Sequence, residues 1–286
     1  MDTVTTLAAA RERRAADRVA GKAVAFVPTM GSLHEGHLAL VRRARELGDS
    51  VWVSIFVNPT QFGPGEDFER YPRDLARDAE LLAGESVDVL FAPATGDMYP
   101  TPPRVTVGYS GLENVLCGAS RPGHFAGVGL VVAKLFNIVE PQVAVFGQKD
   151  AQQALLIRRL VEDLSFDVRI EVAPIVREAD GLAMSSRNAY LSPQERRAAG
   201  VLYRALEEAA EAIRNGERNP VEVERLLAGR IAGEPLADLD YASCVDREDL
   251  RRPAIIGRPV LLAVAARFGS TRLIDNLLID PRGETT

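Results

Sequence analysis

The chain contains three histidines, and two of them, His34 and His37, stand three residues apart in "PTMGSLHEGHLALV" (28–41). The stretch joins an apolar run to an amphipathic pattern, so it reads as a glycine turn after a strand that feeds a helix start. The first N–H groups of such a helix, with the positive end of its dipole, form an anion site. Two imidazoles at i and i+3 share one face of that turn and can donate to phosphate oxygens, as a nucleotide triphosphate requires. Gly36 between them keeps the backbone open to close approach. Two other readings fit the same residues: solvated histidines at an ordinary helix start, or part of a zinc site completed by His124 or a carboxylate.

Two more stretches carry groups suited to phosphates. In "GLAMSSRN" (181–188), Ser185, Ser186 and Arg187 can wrap outer phosphates, with Arg187 giving bidentate charge-assisted bonds; alternatively this is a polar turn before the next helix. In "FGQKDAQQ" (146–153), Lys149 can neutralise a phosphate, and Asp150 can take a ribose hydroxyl or cap a helix. The plainer alternative is a capped helix with an exposed lysine.

The elements that must position these residues follow from hydrophobic patterning. Continuous apolar runs at 23–27, 51–57, 87–93, 143–147 and 168–174 alternate with helical patterns at 35–47, 72–84, 126–139 and 150–163. Apolar strands separated by helices indicate a parallel sheet covered on both faces. The fold class expected is therefore α/β, a doubly wound, Rossmann-like domain over 1–175. Ligands in such sheets sit beyond the carboxyl ends of the strands, where Pro28 to His37, Asn58 to Gln61 and Gln148 to Gln153 fall. After 177–192 the pattern changes. A helix opens at Ser192-Pro193, helices are expected over 193–214 and 220–232, and strands over 239–245, 260–268 and 271–279. This predicts a smaller α+β lid domain over 176–286.

Composition narrows the function classes. The 286 residues are 47% hydrophobic and 26% charged, a globular balance, and no apolar run approaches the roughly 18 residues of a membrane span. The N-terminal "MDTVTTLAAARERRAADRVAG" lacks a secretory apolar region. Cys117 and Cys244 have no CxxC spacing and fit a reducing cytoplasm. A formal net charge of -6 disfavours nucleic acid as partner and favours a small molecule.

Taken together, the His-x-x-His stretch after the first strand and the Met-Ser-Ser-Arg loop after the last resemble the HIGH and KMSKS pair of adenylate-forming nucleotidyltransferases and class I aminoacyl-tRNA synthetases. More specifically, "PTMGSLHEGHLALVRRAR", "SIFVNPTQFGPGEDFERYPRD", "RPGHFAGVGLVVAKLFNIVEP", "FGQKDAQQ" and "READGLAMSSRNAYL" resemble the pantoate–β-alanine ligase (pantothenate synthetase) family in order and spacing. They cover most of residues 23–191; beyond them the likeness rests mainly on "RFGSTRLIDNL".

That resemblance implies ATP-dependent condensation of pantoate with β-alanine through a pantoyl adenylate, releasing AMP and pyrophosphate, in a cytoplasmic homodimer that uses magnesium. By position, it assigns Met30, His34, Gly36 and His37 to the ATP and adenylate site, closed by Lys149, Asp150, Met184, Ser185, Ser186 and Arg187. It assigns pantoate to Gln61 and Gln153, with Asn58, Arg121 and His124 lining the region. Asp78 falls where the family's magnesium-associated acid lies, although Arg77 precedes it where some members carry a second acid. Gln148 and Ala151 replace the Glu and the aromatic of "FGEKDYQQ" versions, on the β-alanine side. A zinc hydrolase built on the histidine pair and a nucleotide-binding module without turnover are the competing readings. The first lacks a convincing ligand set, and the second leaves the pantoate-matching glutamines unexplained.

Overall fold

The computed structural model describes residues 1–282, and these divide into two compact units. The first holds six parallel strands: β1 (Asp2–Val4), β2 (Val24–Thr29), β3 (Ser50–Ile55), β4 (Val89–Phe91), β5 (Val143–Gly147) and β6 (Arg169–Ala173). Their order is β1-β4-β3-β2-β5-β6. The chain thus builds outward from β2 through β3 and β4, then returns to the other side of β2 with β5. The carboxyl ends of β2 and β5 therefore flank the topological switch point, where open α/β sheets bind their ligands.

Helices α1 (Leu7–Val19), α2 (Glu35–Arg45), α3 (Leu75–Gly84), the one-turn α4 (Thr95–Met98), α6 (His124–Val139) and α7 (Ala151–Asp163) flank that sheet; one-turn α5 (Cys117–Ser120) groups with the second unit. Alternation along the strands separates the two faces. Ala25, Val27, Val51 and Val53 pack with Leu33, Val41, Ala44 and Leu82 under α2 and α3. Trp52 faces the other way, toward α1, and its indole Nε1 donates to the buried Asp17 at 2.9 Å. Ser50 and Arg13 donate to the same carboxylate at 3.0 and 2.5 Å. Burial alone would push the Asp17 carboxyl up, but these donors outweigh it and hold it below the usual carboxylate range.

The second unit comprises residues from Ile175 onward together with 114–120 and 149–151. Its helices are α8 (Pro193–Ala199), α9 (Val201–Arg214) and α10 (Pro220–Ala232), and its sheet is the antiparallel β7 (Ala237–Asp246), β8 (Val260–Phe268) and β9 (Thr271–Ile279) in that order. Leu202, Ala205, Leu206, Ala209, Ala210 and Ile213 recur at helical spacing along α9 and form a core with Val260, Leu262, Val264 and Phe268. Ser192 and Glu195 close a capping box behind Pro193.

Two local expectations need correction. The helix read over 193–214 is divided at Gly200, which serves as C-cap of α8 and N-cap of α9. The N-terminal strand and α1 lie outside the elements that patterning predicts, because a three-residue strand shows no periodicity and α1 offers only Ala and Arg clustering to sequence reading.

One close approach ties α6 to the turn after β3. A Cβ on Gly127 would stand 2.1 Å from the Thr60 carbonyl oxygen, so Gly127→Ala is expected to lower unfolding free energy by about 1–3 kcal/mol, as overpacking does; urea denaturation with an unchanged slope checks this. For Asp17 the folded carboxyl titrates below its unfolded value of roughly 3.9. Its contribution is thus present above that pH and lost as pH falls through the folded value. Asp17→Asn should flatten the acid limb of a stability–pH curve.

Candidate active site

The stretch after β2 is built by one buried carboxylate. Thr29 Oγ1 donates to the Ser54 carbonyl at 2.8 Å and accepts from Gly31 N at 3.1 Å. Gly31 has φ +82, which glycine adopts without penalty, and a Cβ there would meet Ile55 at 2.9 Å and an Asp78 oxygen at 3.0 Å. Ser32 follows with φ 52, an uncommon conformation for a residue with a Cβ. Asp78 holds this turn: Ser32 N and Leu33 N donate to its two carboxylate oxygens at 2.8 Å each. Asp78 is 1% exposed and lies in the first turn of α3, whose N-cap Asp74 accepts from Arg77 N at 3.0 Å.

That turn delivers the histidines. His34 is the N-cap of α2 and His37 its third residue. His34 Nδ1 accepts from Gly36 N at 3.1 Å, and His34 N donates to His37 Nδ1 at 3.4 Å. The two rings stand 4.1 Å apart, centroid to centroid. Because each Nδ1 accepts from a backbone N–H, the proton of each neutral ring belongs on Nε2. The capping box thus does more than start a helix: it fixes both imidazoles as Nε2–H donors at the positive end of the α2 dipole.

The turn after β3 gathers another group. Asn58 is 1% exposed and fully engaged. Its Nδ2 donates to Gln61 Oε1 and the Gly127 carbonyl, both at 3.1 Å, and its Oδ1 accepts from Thr60 Oγ1 at 2.9 Å and Tyr99 OH at 3.0 Å. Gln61 Nε2 in turn reaches Met30 Sδ at 2.8 Å, so Asn58, Gln61 and Met30 form one chain of contacts. His124 Nδ1 lies 2.8 Å from the Gln61 carbonyl and its Nε2 3.0 Å from an Arg121 nitrogen. Arg121 forms a fork on Glu66 at 2.8 and 2.5 Å. Burial would raise the Glu66 carboxyl, but Arg121 prevails and holds it below its usual range. Gln153 is half-buried in the first turn of α7, beside Gln152, whose amide donates to the Leu112 carbonyl at 3.0 Å.

The remaining candidates belong to the second unit. Lys149 Nζ stands 3.8 Å from an Asp150 oxygen. Ser185 caps a single-turn helix over Ser186–Tyr190, its Oγ accepting from Arg187 N at 3.3 Å. Met184, Ser186 and Arg187 are half-buried.

The donor set does not fit a protein-held metal. Asp78 has both oxygens on backbone N–H groups, Arg77 stands beside it, and among the described residues no cluster of three His, Cys, Asp or Glu side chains can hold an ion. His124, one of the third ligands that a zinc reading offers, engages Gln61 and Arg121 instead. The functional group that sequence reading missed is the backbone scaffold itself: Thr29, Ser32 and the anchoring role of Asp78 leave no signal in spacing.

Residues 2–278 match the family model for pantoate-beta-alanine ligase. Pantothenate synthetase from Heliobacterium modesticaldum is 57% identical over 260 residues, covering 91% of this chain and 92% of that protein. Pantothenate synthetase from Moorella thermoacetica is 54% identical, covering 98% of this chain and 99% of its own length. The crystal structure of pantothenate synthetase from Thermus thermophilus superimposes with a TM-score of 0.92 at 48% identity, over 97% of this chain and 99% of that one. That of pantoate-beta-alanine ligase from Francisella tularensis complexed with beta-gamma ATP and beta-alanine gives 0.81 at 34% identity, over 97% of each chain.

In either orientation, Asp78→Asn replaces one acceptor with an amide NH2 that faces the N–H of Ser32 or Leu33. It is expected to cost about 1–3 kcal/mol in stability. It should also blur the Nε2–H tautomers of His34 and His37, read from histidine nitrogen NMR shifts; two unchanged rings would show that Asp78 does not set them.

Proposed function

The chain belongs to the pantoate-beta-alanine ligase family and forms pantothenate from pantoate and β-alanine using ATP, and we propose that it does so through a pantoyl adenylate whose formation its fixed donors promote. The observation that supports this most is the capping box of α2, which makes two Nε2–H donors at a helix N-terminus, while the acid of that turn, Glu35, pairs with Arg42.

In this mechanism the pantoate carboxylate attacks the α-phosphorus of ATP and pyrophosphate leaves. The amine of β-alanine then attacks the acyl carbon, and AMP leaves. No protein nucleophile is needed; catalysis is positioning plus cationic and hydrogen-bond donors around phosphate charge. His34, His37, Lys149, Ser185, Ser186 and Arg187 are those donors, with Met30, Gly36, Asp150 and Met184 contacting the nucleotide or adenylate. Gln61 and Gln153 bind the pantoate hydroxyls and carboxylate, beside apolar walls that suit its gem-dimethyl group. Asn58, with every polar atom engaged, holds Gln61 in place. Arg121 and His124 brace the same turn from below. Any magnesium would be held by the ATP phosphates rather than by side chains of this chain. Water is kept from the mixed anhydride, which otherwise hydrolyses. The family resemblance further supports a homodimer in the cytoplasm; among the described residues no helix is long and apolar enough to cross a membrane.

Three measurements test the reading. Pantoate labelled with heavy oxygen in its carboxylate should pass one labelled atom to AMP in a single turnover; unlabelled AMP, or ADP as product, would overturn the adenylate route. Alanine at His34 or His37 should slow pyrophosphate release by two or more orders of magnitude, since one lost donor of this kind costs roughly 2.7–4 kcal/mol of barrier. Arg187→Lys should lose much of the activity despite the retained charge, because an ammonium cannot reproduce a planar fork.

A further inference from the structure

The motif "RLIDNLL" (272–278) places two polar residues in succession between the apolar Leu273–Ile274 and Leu277–Leu278 of a strand. Asp275 is 2% and Asn276 3% exposed on β9, one of the two edge strands of the small sheet. Buried polar side chains on an apolar strand call for partners, and these two have specific ones in the second unit. Asp275 receives both arms of Arg177, at 2.6 and 3.0 Å. The Nδ2 of Asn276 donates to the carbonyl oxygen of Lys149 at 2.9 Å, and the Asn276 carbonyl accepts from Arg177 at 3.3 Å.

Arg177 is the root of the Ser185–Arg187 loop. It opens a tight hairpin in which Glu178 N donates to the Leu182 carbonyl at 2.8 Å, Gly181 N to the Glu178 carbonyl at 2.9 Å and Met184 N to the Val176 carbonyl at 3.0 Å. Ser185 follows at once. The Arg177 guanidinium also donates to the Gly181 carbonyl at 3.0 Å and lies over the Tyr203 ring at 4.0 Å. Gly181 has φ +89, and a Cβ on it would fall 2.2 Å from the same ring, so the hairpin is seated against α9 with no slack. A buried ion pair of this kind is poor evidence of stability, because an apolar packing of equal volume often serves as well. Its geometric outcome is definite: neighbouring residues of one strand grip two segments far apart in sequence.

We propose that Asp275 and Asn276 are positioning residues that set Lys149 and the Ser185–Arg187 loop in register with each other, through the Lys149 carbonyl and through Arg177. The proposal rests on the reading of Lys149 and Arg187 as phosphate donors. The side chain of Lys149 is aimed by its own backbone, and Asn276 fixes that backbone; Arg177 fixes the exit of the hairpin from which Ser185, Ser186 and Arg187 emerge.

The test is a double-mutant cycle on pyrophosphate release with ATP and pantoate. Asn276→Ala should lower kcat/KM for ATP by about 10- to 100-fold, the scale of a small misplacement of a reacting group, while KM for pantoate stays unchanged. Lys149→Ala should also lower it, and the double variant should be no worse than Lys149→Ala alone within about twofold. Losses that multiply instead would mean Asn276 acts on folding in general and would overturn the proposal. Impaired Lys149→Ala beside wild-type Asn276→Ala would overturn the tie while leaving the reading of Lys149 intact. Wild-type activity in Lys149→Ala would overturn that reading and the proposal with it. Asn276→Asp, which keeps the volume and removes the donor, repeats the cycle if the alanine variant does not fold, with the same outcomes deciding.

Discussion

A carboxylate that accepts two consecutive backbone N–H groups fixes a turn, because each of its oxygens holds one backbone donor in place. Asp78 does this for Ser32 and Leu33. From that pair of bonds follow the positive φ at Ser32, the direction of α2, and the placement of His34 as N-cap. The carboxylate sits in the first turn of α3, near its positive end, which favours its charge. A buried acid in this family position invites a metal role, yet its oxygens already have partners.

In the proposed mechanism the histidines give one hydrogen-bond motif a structural and a chemical task at once. A Ser or Asp at the N-cap would start α2 as well, but Asp would present no donor and Ser only a hydroxyl held close to the backbone. Using imidazole for both halves of the capping box satisfies two backbone N–H groups and, by occupying Nδ1, assigns the proton of each ring to Nε2. Donors prepared before the reaction need no reorganisation as charge develops on phosphate, and that is where such sites gain most of their rate.

Both units follow one scheme, in which a buried polar residue anchors a turn or segment that bears proposed site residues. Asn58 anchors the turn that bears Gln61, Asp78 the turn that leads to His34, and Asp275 with Asn276 the segments that bear Lys149 and Arg187. In each case the anchored residue is half-buried or buried and its anchor more so. Loops carry the chemistry because they can present side chains in any direction, and these anchors supply the rigidity that loops lack.

Much of this was legible in the sequence, for identifiable reasons. Strands such as 143–147 and 260–268 are apolar runs bounded by turn residues, and the alternation of apolar strands with helices over residues 23–174 has few solutions other than a parallel sheet. The candidate residues likewise stood out by type and spacing, since paired histidines, a Ser-Ser-Arg loop and a Lys-Asp step are rare in combination. The N-terminal edge strand did not stand out: its three residues acquire their state only from pairing with β4, a segment far along the chain. Nor did the anchors. An aspartate in "YPRDLARD" has one local appearance whether it binds a metal or two backbone N–H groups, and an "Asp-Asn" step in a strand does not name Arg177 or Lys149 as partners. Residue types and periodicity are properties of a segment, so the sequence determined the fold class and the chemical groups available. Which hydrogen-bond acceptor meets which donor depends on segments brought together from distant parts of the chain, so only the tertiary structure decided what each buried polar group does.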